Sequence, residues 1–175
     1  MQVLVVYESI YGNTHTIAAA VARGCGSEHD VTVLPVAEAT AERVAVAEMV
    51  FVGGPTHMHG ESWAMTRDGA RKQAEKEELD LDPDASGPGL RTWFHGLGHV
   101  DGIAAAAFDT RFDANPAFTG RASRGIAHRL RHHGFRVSAD PESFLITTDN
   151  ALVEGEELRA ENWARSIVGT AHEPV

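Results

Sequence analysis

Short apolar runs recur along the chain, and each has the composition of a buried strand. They lie at residues 2–7, 30–36, 48–54 and 102–108. Valine-rich runs without alternation are typical of parallel strands that are covered on both faces. A fifth strand region at 135–148 contains Asp140 and Pro141, which do not both fit a regular central strand, so we expect an interruption there.

Helical patterns separate the apolar runs. Hydrophobic residues recur at helical spacing after the first strand, at 40–47, at 63–79, at 122–133 and at 156–168. The irregular segment LDLDPDASGPG at 79–89 has the composition of an inserted surface loop, and a short helix follows it. Parallel neighbours in a sheet need crossover connections, which helices supply. We therefore predict an α/β fold with helices on both faces of a parallel sheet, in a single domain that covers residues 1–175.

Composition and charge exclude several classes of protein. The chain has 175 residues, 43% of them hydrophobic and 23% charged, as expected for a globular protein rather than a disordered one. A net charge of -10 argues against nucleic acid as a partner. The single cysteine, Cys25, has no internal disulfide partner, and no apolar run approaches the roughly 20 residues that cross a bilayer. We expect a cytoplasmic protein without a membrane span, and a structural or exposed thiol at Cys25.

The turn SIYGNT at 9–14 is the strongest local signal for a ligand site. Backbone N–H groups at a helix N-terminus lack intrahelical partners and carry partial positive charge, so such a turn binds phosphate without lysine or arginine. The hydroxyls of Ser9 and Thr14 and the side chain of Asn13 add donors, and Gly12 permits close backbone approach. The turn matches neither a P-loop nor a GxGxxG motif. Taken alone, it is explained more simply as a tight turn that starts a helix.

Two further segments favour a ligand site over a simple turn. GGPTHMHG at 53–60 follows the third strand, and FDTRF at 108–112 follows the fourth, so we expect a loop at each position. In a doubly wound sheet of strand order 2-1-3-4-5, the carboxyl ends of these strands meet beside the point where the order reverses, and ligands bind there. The sequence therefore predicts three loops that converge on one cleft.

These residues resemble the flavodoxin family. SIYGNT is similar to the phosphate loop [S/T]-x-[T/Y]-G-N-T of that family, GGPTHMHG resembles its first flavin loop, and FDTRF resembles its second. The segment GEELRAENWARSI lies where the last helix of the family is expected, so the resemblance follows the whole chain in order. It implies a five-stranded parallel sheet of order 2-1-3-4-5 and a noncovalent FMN.

The resemblance also implies which residues hold the cofactor. The phosphate would be bound by the turn, and the flavin ring would lie between the two flavin loops. The implied residues are Ser9, Ile10, Tyr11, Gly12, Asn13, Thr14, Pro55, Thr56, His57, Met58, His59, Gly60, Asp109, Thr110, Arg111 and Phe112.

The flavin loops depart from the family pattern. The first loop offers His57, Met58 and His59 where flavodoxins often place an aromatic residue, and Phe112 is the only aromatic residue of the second loop beyond the strand end. Arg111 and the histidines place cationic groups near the expected ring. Because a cation favours the anionic reduced flavin, we expect a reduction potential above that of a typical flavodoxin.

The resemblance favours an electron carrier over an enzyme, with the flavin supplying the redox chemistry and a redox partner protein exchanging electrons with it. One alternative is an NAD(P)H-dependent quinone or flavin reductase of the same fold. A second is a flavin-free interaction module that retains the fold, which the shortage of stacking aromatics suggests. The basic segment at 121–136 is either a solvated helix face, a docking patch for an acidic partner or a site for the NADPH phosphate.

Histidines at two places raise the question of a metal site. His57 and His59 form one pair, and His128, His132 and His133 lie near the end of a predicted helix. The pair lacks a third ligand in the sequence, and the helix dipole favours histidines at a helix C-terminus. We predict no metal site.

Overall fold

Seven strands and six helices form the part of the chain that the computed structural model describes, residues 1–57, 60–61 and 81–170. The strands are β1 (Gln2–Tyr7), β2 (Asp30–Pro35), β3 (Met49–His57), β4 (Gly60–Glu61), β5 (Ala104–Phe112), β6 (Arg136–Val137) and β7 (Glu142–Ile146). The helices are α1 (Asn13–Cys25), α2 (Ala41–Ala45), α3 (Leu90–Leu97), α4 (Pro116–Thr119), α5 (Ala122–His132) and α6 (Glu156–Thr170). None of these helices is long and apolar enough to span a bilayer.

The sheet has the strand order β2-β1-β3-β5-β6, and β7 pairs with β5 on the same side as β6. These pairs are parallel, whereas the short β4 is antiparallel to β3. β6 and β7 together take the place of one fifth strand, interrupted at 138–141, so both the predicted order 2-1-3-4-5 and the predicted interruption are confirmed. The proline at 141 has no N–H to donate, which explains why regular pairing pauses there.

Helices cover both faces of the sheet. Successive side chains of a strand point to opposite faces, so Leu4 and Val6 pack on one side and Val3 and Val5 on the other. The first side is closed by residues of α3 and α5, and the second by residues of α1 and α6. Burial of a large aliphatic side chain stabilises the fold by roughly 1.5–3 kcal/mol. Because both faces of the strands are apolar, both must be covered by helices, and the predicted three-layer α/β arrangement results.

Two segments that we predicted as loops are strand. β3 continues through 53–57, and β5 continues through 108–112, so the loop assignments at these positions were wrong. Both sides of β5 explain the difference: Pro55 pairs with Thr110 on one side, and β7 pairs with β5 as far as Phe112 on the other. Backbone pairing with two neighbours outweighs the loop-like composition. The helix predicted at 63–79 lies outside the described residues.

Candidate cofactor site

The turn between β1 and α1 ends in a helix start without a side-chain cap. Gly12 is the N-cap residue at φ 88°, a left-handed conformation that glycine adopts readily, and its N–H donates to Ser9 Oγ at 3.1 Å. The first helical hydrogen bond is donated by the Thr16 amide to the Gly12 carbonyl at 2.9 Å. The amides of residues 13–15 precede that bond and have no intrahelical acceptor. The start of α1 therefore presents N–H donors at the carboxyl edge of β1.

Side chains of the turn at 9–14 form hydrogen bonds with two other segments at the carboxyl edge of the sheet. The hydroxyls of Thr14 and Thr110 lie 2.7 Å apart and are buried, which joins the start of α1 to β5. The Asn13 side chain donates to the carbonyl and side-chain oxygens of Asn150, at 2.9 and 3.1 Å. Asn150 has φ 59° in the loop after β7, a conformation that asparagine tolerates better than most residues. Sequence reasoning missed Asn150; the only signal for it was an asparagine in a polar turn.

Asp109 joins β3, β5 and α5 from a fully buried position. Its Oδ2 accepts hydrogen bonds from Thr56 Oγ1 at 3.0 Å and from the Ser123 amide at 2.7 Å. Thr56 Oγ1 in turn accepts from the Ala122 amide at 2.9 Å. The N-cap residue Arg121 supplies no side-chain cap, so Thr56 and Asp109 cap α5 from outside the helix. These two predicted cofactor residues support the scaffold of the site.

Burial raises the pKa of the Asp109 carboxyl above its usual value, and the hydrogen bonds from the Ser123 amide and Thr56 act in the opposite direction. Asp109 Oδ1 has no hydrogen-bond partner within the described part of the chain. Burial is the first cause of the raised pKa, because removal from water disfavours the ionised form of the carboxyl.

The loop at 81–89 packs against the phosphate turn and brings a polar cluster with it. The Asp82 amide donates to the Ile10 carbonyl at 2.7 Å, and Asp82 Oδ2 lies 3.1 Å from His15 Nδ1. The Tyr7 hydroxyl donates to Asp84 at 2.7 Å, and its ring stacks on that of His15. Burial, followed by the hydrogen bond to Asp84, raises the pKa of Tyr7. One ligand atom from each of His15, Asp82 and Asp84 lies within 4.8 Å of the others, close enough to share a metal ion, and sequence reasoning identified none of these three.

Arg111 and Phe112 end β5 in different environments. Arg111 is buried, and its Nη1 donates to the carbonyls of Phe112 and Ala114 at 3.1 and 2.8 Å. Its cation therefore stabilises the strand end, although the charge remains in the site region. Phe112 is 48% exposed, an unusual position for a phenylalanine and one from which it can meet a planar ligand.

The strand register limits where a ring can lie. Pro55 and Thr110 are partners in adjacent strands, and adjacent strands are about 4.8 Å apart, which leaves no room for a ring between them. A ring is accommodated only beyond this pair, toward Phe112. Of the other predicted residues, Ser9, Ile10 and Thr14 are buried, His57 ends β3, and Gly60 begins β4. Met58 and His59 lie outside the described residues.

The donor set fits the phosphate group of FMN. The start of the 13-residue helix α1 supplies amides and the positive end of the helix dipole, and the Ser9 hydroxyl lies in the same turn. A carboxylate close to the turn, Asp82, is engaged by the Asp84 amide at 2.9 Å and faces His15. This edge also lies where the strand order reverses, between β1 and β3, which is the ligand position in folds of this order.

Comparisons with known proteins agree with the fold. A family model described as Flavodoxin matches residues 5–163. A flavodoxin from Aquifex aeolicus is 43% identical over 68 residues, which span 38% of this chain and 37% of that protein. The structure of an archaeal flavodoxin superposes with a TM-score of 0.67 at 21% identity, covering 99% of this chain and all of the other. A flavodoxin from Streptococcus pneumonia superposes with a TM-score of 0.68 at 16% identity, covering 98% and 99%.

The sheet order and the helix start at its switch point define an α/β protein of the flavodoxin fold. The family model covers most of the chain. The chain therefore belongs to the flavodoxin family, whose members are FMN-binding electron-transfer proteins.

Proposed function

We propose that this chain binds FMN noncovalently and transfers electrons through it. The observation that carries the proposal is the uncapped start of α1 with Gly12 at φ 88°, beside the strand-order reversal. The phosphate would be held by the turn at 9–14. The ring would lie toward Phe112 and the residues after β3, with the segments 55–60 and 109–112 forming its surroundings.

Bound FMN supplies the redox chemistry, so the protein needs no acid, base or nucleophile of its own. The residues of this chain would bind the phosphate, orient the ring and set its electrostatic surroundings. Arg111 supports the expected high reduction potential, because its cation lies at the end of β5 and is buried enough to act through a low dielectric. Titration of Arg111→Ala against wild type tests this: an unchanged midpoint potential would refute it.

The cofactor is tested by comparing FMN with riboflavin, which lacks the phosphate. At a ligand concentration 100 times Kd, FMN should stabilise the protein by about 2.7 kcal/mol, which raises Tm by roughly 5–10 °C in a chain of this size. Riboflavin should give a much smaller shift. Equal shifts would contradict phosphate binding by the turn, and a colourless preparation without any shift would favour the flavin-free module.

A matched pair of glycine variants locates the phosphate site. Gly12 and Gly102 both have positive φ, 88° and 68°, and a Cβ added at either position would meet no atom closer than 3.9 Å. Alanine at either position costs roughly 1–2 kcal/mol of stability because of the left-handed backbone. Only Gly12→Ala should also weaken FMN binding. Equal FMN affinity in the two variants would exclude the turn at 9–14.

A measurement of steady-state turnover distinguishes an electron carrier from the alternative, an NAD(P)H-dependent reductase. We expect a carrier to show negligible steady-state oxidation of NADPH with a quinone acceptor, and to exchange electrons only with a redox partner protein. Rapid turnover in the absence of a partner would establish the reductase instead. The cytoplasm is the compartment that we propose, since the single cysteine, Cys25, is a buried free thiol.

A further inference from the structure

A basic stripe covers the exposed side of α5 and the start of β6. We define it as the exposed residues Arg124, His128, Arg131, His132 and Arg136. The sequence has no Asp or Glu from 114 to 139, although the whole chain carries a net charge of -10. Positive charge is therefore concentrated on one face of an acidic protein.

Helix stability does not account for the whole stripe. Arg131 and His132 lie in the last turn of α5, where the helix dipole favours cations. Arg124 lies near the opposite end, where the dipole disfavours a cation, and the first turn contains no acidic residue to compensate. The helix dipole therefore accounts for Arg131 and His132 but not for Arg124.

Within the part of the chain that the structure describes, the arginines of the stripe also form no ion pairs. Arg124, Arg131 and Arg136 form no ion pair within the described residues, whereas Arg23 pairs with Glu157 and Glu161 at 2.8 and 2.7 Å. An exposed cation that forms no ion pair remains available to attract an acidic surface of a second molecule.

The stripe begins at the candidate cofactor site. The amides of Ala122 and Ser123, in the first turn of α5, are held by Thr56 and Asp109, at the ends of the two strands that the site uses. Arg124 is the next residue. A molecule that lies along the stripe is therefore brought to the edge at which the ring would be bound.

We propose that the basic stripe docks the acidic surface of a redox partner protein. The reach of the stripe favours a surface over a single phosphate: Arg124 and Arg131 are seven residues apart, about 10 Å along the helix axis, and Arg136 lies beyond the helix end. The partner's role in electron transfer rests on the proposed function, but its contact with the stripe requires no flavin.

The test compares two double variants that change the net charge equally. One is Arg124→Glu with Arg131→Glu in the stripe; the control is Arg43→Glu with Arg165→Glu, two exposed arginines of α2 and α6 without ion pairs in the described structure. Binding of fluorescein-labelled poly-L-glutamate to the full chain is measured by anisotropy at low and at physiological salt. We expect the stripe variant to bind about tenfold more weakly than the control, with a shallower salt dependence.

Two results would overturn the proposal. Equal loss of affinity in both double variants would assign the attraction to net charge. Displacement of poly-L-glutamate by NADPH but not by NADH would assign the stripe to a nucleotide phosphate. A second measurement follows the reoxidation of photoreduced, FMN-loaded protein by ferricyanide, which the stripe variant should slow more than the control. If the chain fails to take up FMN, only this second measurement is lost, so failure of the proposed function is distinguished from failure of the docking proposal.

Discussion

Replacement of Asp109 by asparagine should change how stability depends on pH. The carboxyl is fully buried, and its raised pKa means that the folded state binds the proton more strongly than the unfolded state. The asparagine side chain is isosteric with that of aspartate, still accepts from the Ser123 amide and Thr56, and never ionises. The substitution therefore removes the titration while it preserves the two hydrogen bonds that link β5 to β3 and α5.

The direction follows from proton binding. Below the ordinary Asp pKa of about 3.9 the carboxyl is protonated in both states, and its contribution to stability is fully present. Between that value and the raised folded pKa, only the folded state keeps the proton, so stability falls as the pH rises. The slope for one proton is at most about 1.4 kcal/mol per pH unit, which corresponds to a Tm change of roughly 3–5 °C per unit in a chain of 175 residues.

The assay is urea unfolding of wild type and Asp109→Asn from pH 4 to pH 8, with both proteins in the same flavin state. We expect the variant to gain on wild type as the pH rises and then to keep a constant difference. Asp101→Asn removes the same charge from an exposed position and serves as the control. Asp109→Ala should lose roughly 1.5–3 kcal/mol at every pH, because the amide and hydroxyl donors lose their acceptor. A difference between Asp109→Asn and wild type that does not vary with pH would refute the buried-acid argument.

Three further changes test separate parts of the structure. Gly24→Ala places a Cβ against the backbone carbonyl of Glu161 in α6 and should cost roughly 1–3 kcal/mol in chemical denaturation, whereas Gly169→Ala meets no atom within 4 Å and should not destabilise. Burial raises the pKa of the Cys25 thiol to about 12, so the native protein should react with a thiol reagent at pH 8 only after unfolding; rapid labelling of folded protein would contradict this. Phe112→Ala should weaken FMN binding about two- to tenfold if the exposed ring stacks on the flavin, and Leu158→Ala, at another exposed apolar residue, should not.

The strands and the α/β class were predictable because each strand carries its own evidence, whereas the strand order was implied by the resemblance to the flavodoxin family. Valine-rich runs, helical spacing between them and a proline inside the fifth strand region are local features, and they determine both the α/β class and the split into β6 and β7. The ends of β3 and β5 were not predictable in the same way. Glycine, proline and aspartate in these segments suggest loops, and only pairing with distant strands, such as Phe112 with Ile146, makes them strand.

Side-chain roles at the site were harder to predict than its position. The motif at 9–14 and the topology were enough to indicate where a phosphate would bind. Asp109 was assigned to the flavin because FDTRF resembles the second flavin loop of the family, but its partners are residues 14 positions later and 53 positions earlier in the chain. The contacts of Asn150 with Asn13 and of Asp82 with His15 also span most or much of the chain. A local sequence pattern does not indicate contacts between residues that are far apart in the chain. These contacts are therefore seen only in the folded structure.

An acidic protein can bind an anionic cofactor because repulsion by the protein's net charge and hydrogen bonding to the phosphate act over different distances. Surface charges more than about 8 Å away are largely screened at physiological salt, whereas amides at the start of α1 act within hydrogen-bond distance. The carboxylate of Asp82, which lies beside the turn, accepts from the Asp84 amide and faces His15. The affinity for phosphate therefore depends on the turn at 9–14. The distribution of surface charge affects instead which partner proteins bind. On that reasoning the arginines of the basic stripe, rather than the net charge, should determine which protein approaches the site.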